Sequence, residues 1–208
     1  MTRKALALVA TAAVCVAFAS AAQGVARGCP VCGRNLIANP GAESGKGTAD
    51  DGVVPVPGWK GKGGFTAAQY AWSGGDVNAT SPGPSGRGKN YFYGGPASAV
   101  STGTQTVTLS GAAGHKATLS GWIGGYDSQG DSARLTVTFL GSSGQSLGTL
   151  VIGPVTQAQR AGASELLLKT AAATVPAGTA SATVVLKMVR AAGSDNDGMA
   201  DNLSLVLS

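Results

Sequence analysis

Ser132-Ala133-Arg134-Leu135-Thr136-Val137-Thr138-Phe139-Leu140 is the stretch on which the fold assignment turns. Leu135, Val137 and Phe139 fall on one side of an extended chain, while Arg134, Thr136 and Thr138 fall on the other. That two-residue period is the mark of a half-buried β-strand. The same alternation spreads outward from it. Ala117, Leu119 and Ile123 share one parity with Gly121 between them, as do Val107 and Leu109 in the preceding strand, and the opposite faces carry Thr and Ser. Ser181 to Arg190 sets Val184, Leu186 and Met188 against Val185, Lys187 and Val189, so it is apolar on both sides and predicts a central strand. Asp201 to Leu207 closes the chain, with Leu203, Leu205 and Leu207 set against Asn202, Ser204 and Val206.

Ten candidate strands result: Asn35–Asn39, Gly64–Ala71, Asn90–Gly94, Thr104–Leu109, Lys116–Ile123, Ala133–Leu140, Leu147–Ile152, Leu166–Ala173, Thr183–Arg190 and Asn202–Leu207. Clusters of Gly, Pro, Ser and Asn separate them, and no convincing helical pattern of ten residues or more intervenes. Many short strands that each hide one apolar face predict an all-β chain, a two-sheet antiparallel β-sandwich of the jelly-roll type. Residues 27–208 read as one such domain without an internal repeat, and the loops Ser44–Val56 and Thr80–Lys89 are long enough to carry binding.

Composition narrows the function. The 208 residues include 33 Gly, with 12% charged and only 5% aromatic residues, against about 25% charged in an average domain. The formal charge is +5, but two of the 15 bases, Arg3 and Lys4, lie in a segment that reads as a removable leader. The remaining surplus is too small for a nucleic-acid binder. Met1–Ala26 has the parts of a secretory signal: a basic start, an apolar run from Ala5 to Ala19, and small residues that place cleavage after Ala21 or Ala26. The apolar run falls short of the roughly twenty residues that cross a bilayer, so no membrane span is expected and the chain is read as secreted or held at the cell surface. Export would put Cys29 and Cys32 in an oxidising space, as a small-loop disulfide or two idle thiols, with lipid attachment at Cys29 a minor alternative. A redox centre lacks the helix that lowers a thiol's pKa. A zinc site lacks further ligands, because the one histidine, His115, is more than eighty residues away in sequence.

Asp201 shares parity with Leu203, Leu205 and Leu207, which points its carboxylate toward the core side. A buried lone carboxylate needs a cation or several donors. Calcium suits it outside the cell, and Glu43 is the expected second ligand, since the first and last strands of a jelly roll can lie close together. The plainer alternative is that Asp201 accepts backbone N–H groups where the strand begins. Asp195-Asn196-Asp197-Gly198 lacks the acidic spacing of an EF-hand and reads as a turn, while Asp127 and Asp131 read as solvated loop acids.

Asn35-Leu36-Ile37-Ala38-Asn39-Pro40-Gly41-Ala42-Glu43, followed by Pro57-Gly58-Trp59, resembles the opening of extracellular carbohydrate-binding modules with the galactose-binding-like jelly-roll fold. Ala200-Asp201-Asn202-Leu203-Ser204-Leu205 resembles their closing strand, and the segments between follow the family's order over most of the mature chain. The resemblance implies a structural calcium at Glu43 and Asp201 and a ligand of the polysaccharide or glycan class.

No catalytic constellation accompanies it. There is no Gly-x-Ser-x-Gly elbow to pair with His115, no phosphate loop, and no evident pair of free carboxylates, so a non-enzymatic role is expected. Sugar binding by such a domain depends on aromatic rings laid against C–H faces. Trp122 has the parity of the outer sheet face, close to Tyr126, and Trp72 and Tyr93 sit beside long loops, so these four are the ligand candidates. Trp59 reads as a packing residue. The expected role is a secreted binding module for carbohydrate, and the alternative is a structural or adhesive protein that contacts other extracellular proteins and no sugar.

Overall fold

Alternating burial sorts the chain of the computed structural model, which describes residues 28–208, into ten strands and one 3-10 turn. The expected leader lies outside the described residues. The strands are β1 (Lys60–Lys62), β2 (Thr66–Gln69), β3 (Asn90–Tyr93), β4 (Val100–Thr108), β5 (Lys116–Gly125), β6 (Ser132–Gly141), β7 (Ser146–Ile152), β8 (Glu165–Thr174), β9 (Thr179–Val189) and β10 (Met199–Leu207); the turn is Ala158–Arg160. They form two five-stranded antiparallel sheets, ordered β1-β4-β9-β6-β7 and β2-β3-β10-β5-β8. This is the predicted two-sheet β-sandwich. No helix among the described residues is long and apolar enough to cross a membrane.

The inner faces carry the residues that the alternation selects. Leu135, Val137 and Phe139 of β6, Val184, Leu186 and Met188 of β9, and Leu119 and Ile123 of β5 are all buried in one cluster with Leu203, Leu205 and Leu207. β9 lies at the centre of its sheet, as its two apolar faces require. Trp59, Phe65 and Phe92 form an aromatic corner with ring centroids 5.3 to 6.0 Å apart, and Trp59 is the packing residue expected of it. The Phe65 ring occupies the space that a Cβ on Gly103 would need, which explains a glycine in the middle of β4.

Several boundaries differ from prediction, β9 and β10 among them, which begin at Thr179 and Met199, ahead of the predicted Thr183 and Asn202. β1 was not predicted, because Lys60-Gly61-Lys62 is exposed throughout and has no apolar face to read. β4 begins at Val100, ahead of the predicted Thr104. Asn35–Asn39 is no strand; it makes a single bridge, Asn35 to Val206, before bending through Asn39 and Ala42, both at positive φ. The segment is nonetheless bonded to β10. Gly33 N–H donates to the Leu207 carbonyl, Leu36 N–H to that of Leu205, and Leu203 N–H to that of Pro40. The Asn35 carboxamide adds a donor to the Leu203 carbonyl and accepts from Leu205 N–H. β3 covers only Met199 and Ala200 on this edge of β10, and the N-terminal segment takes over from there.

Arg160, wholly buried at the end of the 3-10 turn, donates to the carbonyls of Asp127, Gln129 and Ala163 and so fixes the 127–131 loop. Truncating a core residue of the central strand is the direct test of this packing. Leu186→Ala is expected to lower unfolding free energy by about 2–5 kcal/mol in denaturant titration, whereas a loss under about 1 kcal/mol would contradict a close-packed interior.

Candidate functional site

The outer face of the second sheet carries its own apolar cluster. On β3, Tyr91 and Tyr93 point away from the core that Phe92 enters, and they pack with Ala68, Tyr70, Val77, Leu166 and Met199. Trp72, Trp122 and Tyr126 are half-buried against this cluster. The fold thus gathers all four aromatic candidates, Trp72, Tyr93, Trp122 and Tyr126, on one face. Trp122 faces outward, as its parity requires, and pairs across the sheet with Leu168, which is 54% exposed. Tyr93 differs from the other three in being covered.

The cover is the segment between β2 and β3. Its ends are joined by the Tyr70 N–H to Lys89 carbonyl bond, and Leu166 N–H of β8 donates to the Pro82 carbonyl. Arg87 holds the segment together by donating to the carbonyls of Asn78, Ser81 and Pro84, while its guanidinium carbon lies 5.0 Å from the centre of the Tyr70 ring. A cation over an aromatic face adds electrostatic attraction to those bonds. The predicted binding loop Thr80–Lys89 therefore folds back over the tyrosines.

Beneath it, Tyr70, Tyr91 and Tyr93 form a ladder with centroid spacings of 4.9 and 6.4 Å. Two of the three hydroxyls meet a carboxylate. Tyr70 donates to Asp201 Oδ2 at 2.8 Å, and Tyr93 Oη lies 3.4 Å from Asp197 Oδ1. The Tyr91 hydroxyl is fully buried without a partner, close to Gly75 and Asp76. The carboxyl groups of Asp76 and Asp197 lie within hydrogen-bonding range of each other. Two carboxyls in such contact resist double ionisation. Burial first, then the neighbouring charges of Asp197 and Asp195, raises the Asp76 pKa; burial and the charges of Asp131 and Asp195 raise that of Asp197.

Asp131 departs from its reading as a solvated loop acid. It is wholly buried, with Oδ1 accepting Ala191 and Ala192 N–H and Oδ2 accepting Asp197 N–H. Three backbone donors are what a buried carboxylate requires. Asp197 is likewise buried and more than a turn residue. Asp76 carried no sequence signal, since Ser73-Gly74-Gly75-Asp76 has no periodicity to read.

Asp201 is 0% exposed, as predicted, but on the opposite side of the sheet. Asp201 pairs with Trp122 and Ser204 with Ser120, so two residues of β10 face one of β5. This β-bulge, with Asn202 at φ 46°, reverses the parity between Asp201 and the leucines. The carboxylate consequently lies under the covering segment with Tyr70. Its Oδ1 accepts the Asn202 N–H, and burial pushes its pKa up to about 7 against these donors, with nearby Glu43 adding to the rise.

Glu43 is exposed, and its Oε1 accepts the N–H groups of Lys89 and Asn90 at 2.9 and 2.8 Å. The two acids approach each other at Gly41. A Cβ there would sit 3.2 Å from Asn202 Oδ1, 3.3 Å from Asp201 Oδ1 and 3.7 Å from Glu43 Cγ, so a larger residue would crowd the Asp201 carboxylate. An all-oxygen, anionic pair of this kind fits the donor chemistry of calcium. Beside Glu43 opens a cleft of about 600 Å³ lined by Lys46, Tyr70, Ala79, Lys89 and Asn90 among others.

Cys29 and Cys32 are disulfide-bonded, which decides between the two sequence readings of the pair. His115 is not remote from them. Folding brings its ring and both sulfur atoms within 4.8 Å of one another.

No protein-family model matches the sequence, and no curated protein matches it. Solved structures do match in fold. The cyclase Fisc from Fischerella sp. TAU aligns over 84% of this chain and 96% of its own, with TM-score 0.53 and 15% identity. The enzymatically active domain of bacteriophage CBA120 tailspike protein 4 aligns over 84% of this chain with TM-score 0.50 and 16% identity, but this chain spans only 21% of it. The module TmCBM61, solved with β-1,4-galactotriose, aligns over 84% of this chain and 99% of its own at TM-score 0.49 and 14% identity. At identities this low the matches bear on the fold alone, and those with TM-scores of 0.50 and above agree with the two-sheet sandwich.

The raised Asp76 pKa sets a sign for stability. A carboxyl that binds its proton more tightly folded than unfolded contributes stability below the ordinary carboxylate pKa of 3.8, and that contribution is lost as pH rises through the raised value. In chelator, the wild-type denaturation midpoint is expected to fall between about pH 5 and pH 8, and to fall less steeply in Asp76→Asn. Equal slopes in the two proteins would contradict the buried acid pair.

Proposed function

We propose that the chain is a secreted, non-catalytic module that binds carbohydrate on the outer face of its second sheet, with a structural calcium ion near Gly41. The observation that carries this reading is the set of three half-exposed rings, Trp72, Trp122 and Tyr126, packed against one buried tyrosine ladder. Rings fixed from behind lose little freedom when a sugar's C–H face stacks on them, and that preserves binding free energy. The carboxylates at this face favour recognition over hydrolysis. Glycoside cleavage needs two acids about 5–10 Å apart across the scissile bond, whereas Asp76 and Asp197 are in contact with each other under the covering segment. Glu43 and Asp201 would hold the calcium, whose charge offsets the cost of the buried Asp201 carboxylate and ties the N-terminal segment to β10.

A second reading has one observation in its favour. Leu168 is exposed beside Trp122, and an apolar pair on a sheet face also suits a protein partner in a structural or adhesive role.

Affinity electrophoresis against a panel of polysaccharides separates the two. Retention by at least one polymer is expected, weakened about tenfold or more in Trp122→Ala or Trp72→Ala, equivalent to about 1.4 kcal/mol. Retention by none would favour the protein-contact reading, and retention that survives both changes would overturn the aromatic face as the binding site. For the metal, the melting temperature is expected to drop in chelator and recover with added calcium, since a ligand at about 100 times its Kd stabilises by about 2.7 kcal/mol. An Asp201→Asn variant should melt at the same temperature with and without calcium, and a wild-type melting curve indifferent to chelator would count against the ion.

A further inference from the structure

The outer face of the first sheet is open, and its register sets side chains in straight rows across the strands. Lys62 of β1, Thr102 of β4, Lys187 of β9 and Arg134 of β6 stand side by side in one row, and Lys60 begins the next beside Thr104. Four residues along the strands, about 13 Å away, Thr106, Thr183 and Thr138 line up with Thr149 of β7. The five strands of this sheet hold four bases and no Asp or Glu, although the whole chain has 10 acids to 15 bases. Asp131, next to the start of β6, is committed to three backbone N–H groups.

Lysines on β1 suit an exposed sheet edge. That does not account for Arg134 and Lys187, which are exposed on interior strands directly opposite each other. Like charges so placed repel. Both line a cavity of about 180 Å³ together with Ser132, Pro154 and Val189. A carboxylate in that cavity converts the repulsion into two ion pairs, taking the planar fork of Arg134 and the point charge of Lys187. Three strand spacings, about 14 Å, separate Lys62 from Arg134, which suits a polymer with acid groups at intervals better than one small anion. No aromatic ring faces outward here on which a nucleic-acid base could stack, and a second copy of the chain would bring the same charges together. We propose that this face docks a linear acidic polysaccharide, with one carboxylate between Arg134 and Lys187, others at Lys62 and Lys60, and the threonine rows bonding its hydroxyls. The site is separate from the aromatic face of the second sheet and does not rest on it.

The test titrates end-labelled oligosaccharides of galacturonate, alginate and hyaluronate with the full chain and reads fluorescence anisotropy. At least one is expected to bind, with an affinity that falls as salt rises and is lost when the carboxylates are methyl-esterified. Replacing both bases, Arg134→Ala with Lys187→Ala, is expected to weaken binding about tenfold or more, because hydrogen bonds to charged groups are the strong ones. Lys187→Glu separates binding from folding: opposite charges across the strands attract, so this variant should melt no lower than wild type and yet lose the oligosaccharide. Binding of none of the three, equal binding of the methyl esters, or binding that survives the double change would overturn the site. Double-stranded DNA bound as tightly as the best oligosaccharide would show a general polyanion surface and overturn the glycan assignment. Retention of neutral polysaccharide should be unchanged in the double variant, so that this face and the aromatic face can each fail without the other.

Discussion

β10 is hydrogen-bonded along both edges, by β5 on one side and by β3 and then the N-terminal segment on the other. A strand held this way cannot slide, and a one-residue offset within it decides which face each side chain serves. The bulge at Asn202 is that offset. Beyond it, Leu203, Leu205 and Leu207 fill the interior; before it, Met199 and Asp201 join the tyrosines on the outer face. The same strand begins beside Asp197 and ends against the cysteine and histidine turns. The buried Asp201, the outward Met199 and the three core leucines are therefore all positioned by the pairing of one strand.

Much of this was legible beforehand, for identifiable reasons. Strands with one apolar face announce themselves through a two-residue period, as β5, β6 and β10 do, while β9 is legible as a central strand from its two apolar faces. Trp122 was placed correctly because β5 keeps its parity unbroken from Ala117 to Ile123. Asp201 was assigned to the wrong side because a bulge inserts a residue without changing the apparent alternation. The faint signal was Asn202 itself, one of the few residue types that accept left-handed backbone cheaply. Asp131 and Asp76 were beyond reach for a different reason. Their burial depends on backbone donors and hydroxyls from distant parts of the chain, and loop sequences carry no periodicity that records such contacts.

The outer face is an uncommon electrostatic environment. Three tyrosine hydroxyls and three carboxyl groups are brought together under one segment, with Arg87 the guanidinium that stacks there. Neutral phenols stabilise buried acids only partly, and burial in turn holds the phenol protons well above their ordinary pKa. The phenols of this face thus donate and accept hydrogen bonds without titrating at neutral pH, while burial moves its carboxyl groups up toward that range. The fold itself does not determine this: a cyclase and a phage enzyme share the sandwich at low identity, so function must be argued from the residues mounted on it.

The segment over the tyrosines leaves the sheet at Tyr70 and returns at Lys89, and those two residues are tied by a single backbone bond. Its internal order comes chiefly from one arginine and three carbonyls within the same segment. Such an arrangement behaves as a cassette. A stretch of different length or chemistry, entering and leaving through the same two neighbouring positions, would leave both sheets undisturbed while reshaping what the face admits. Such a change would be confined to twenty contiguous positions, 70–89, and would not require point changes scattered over ten strands.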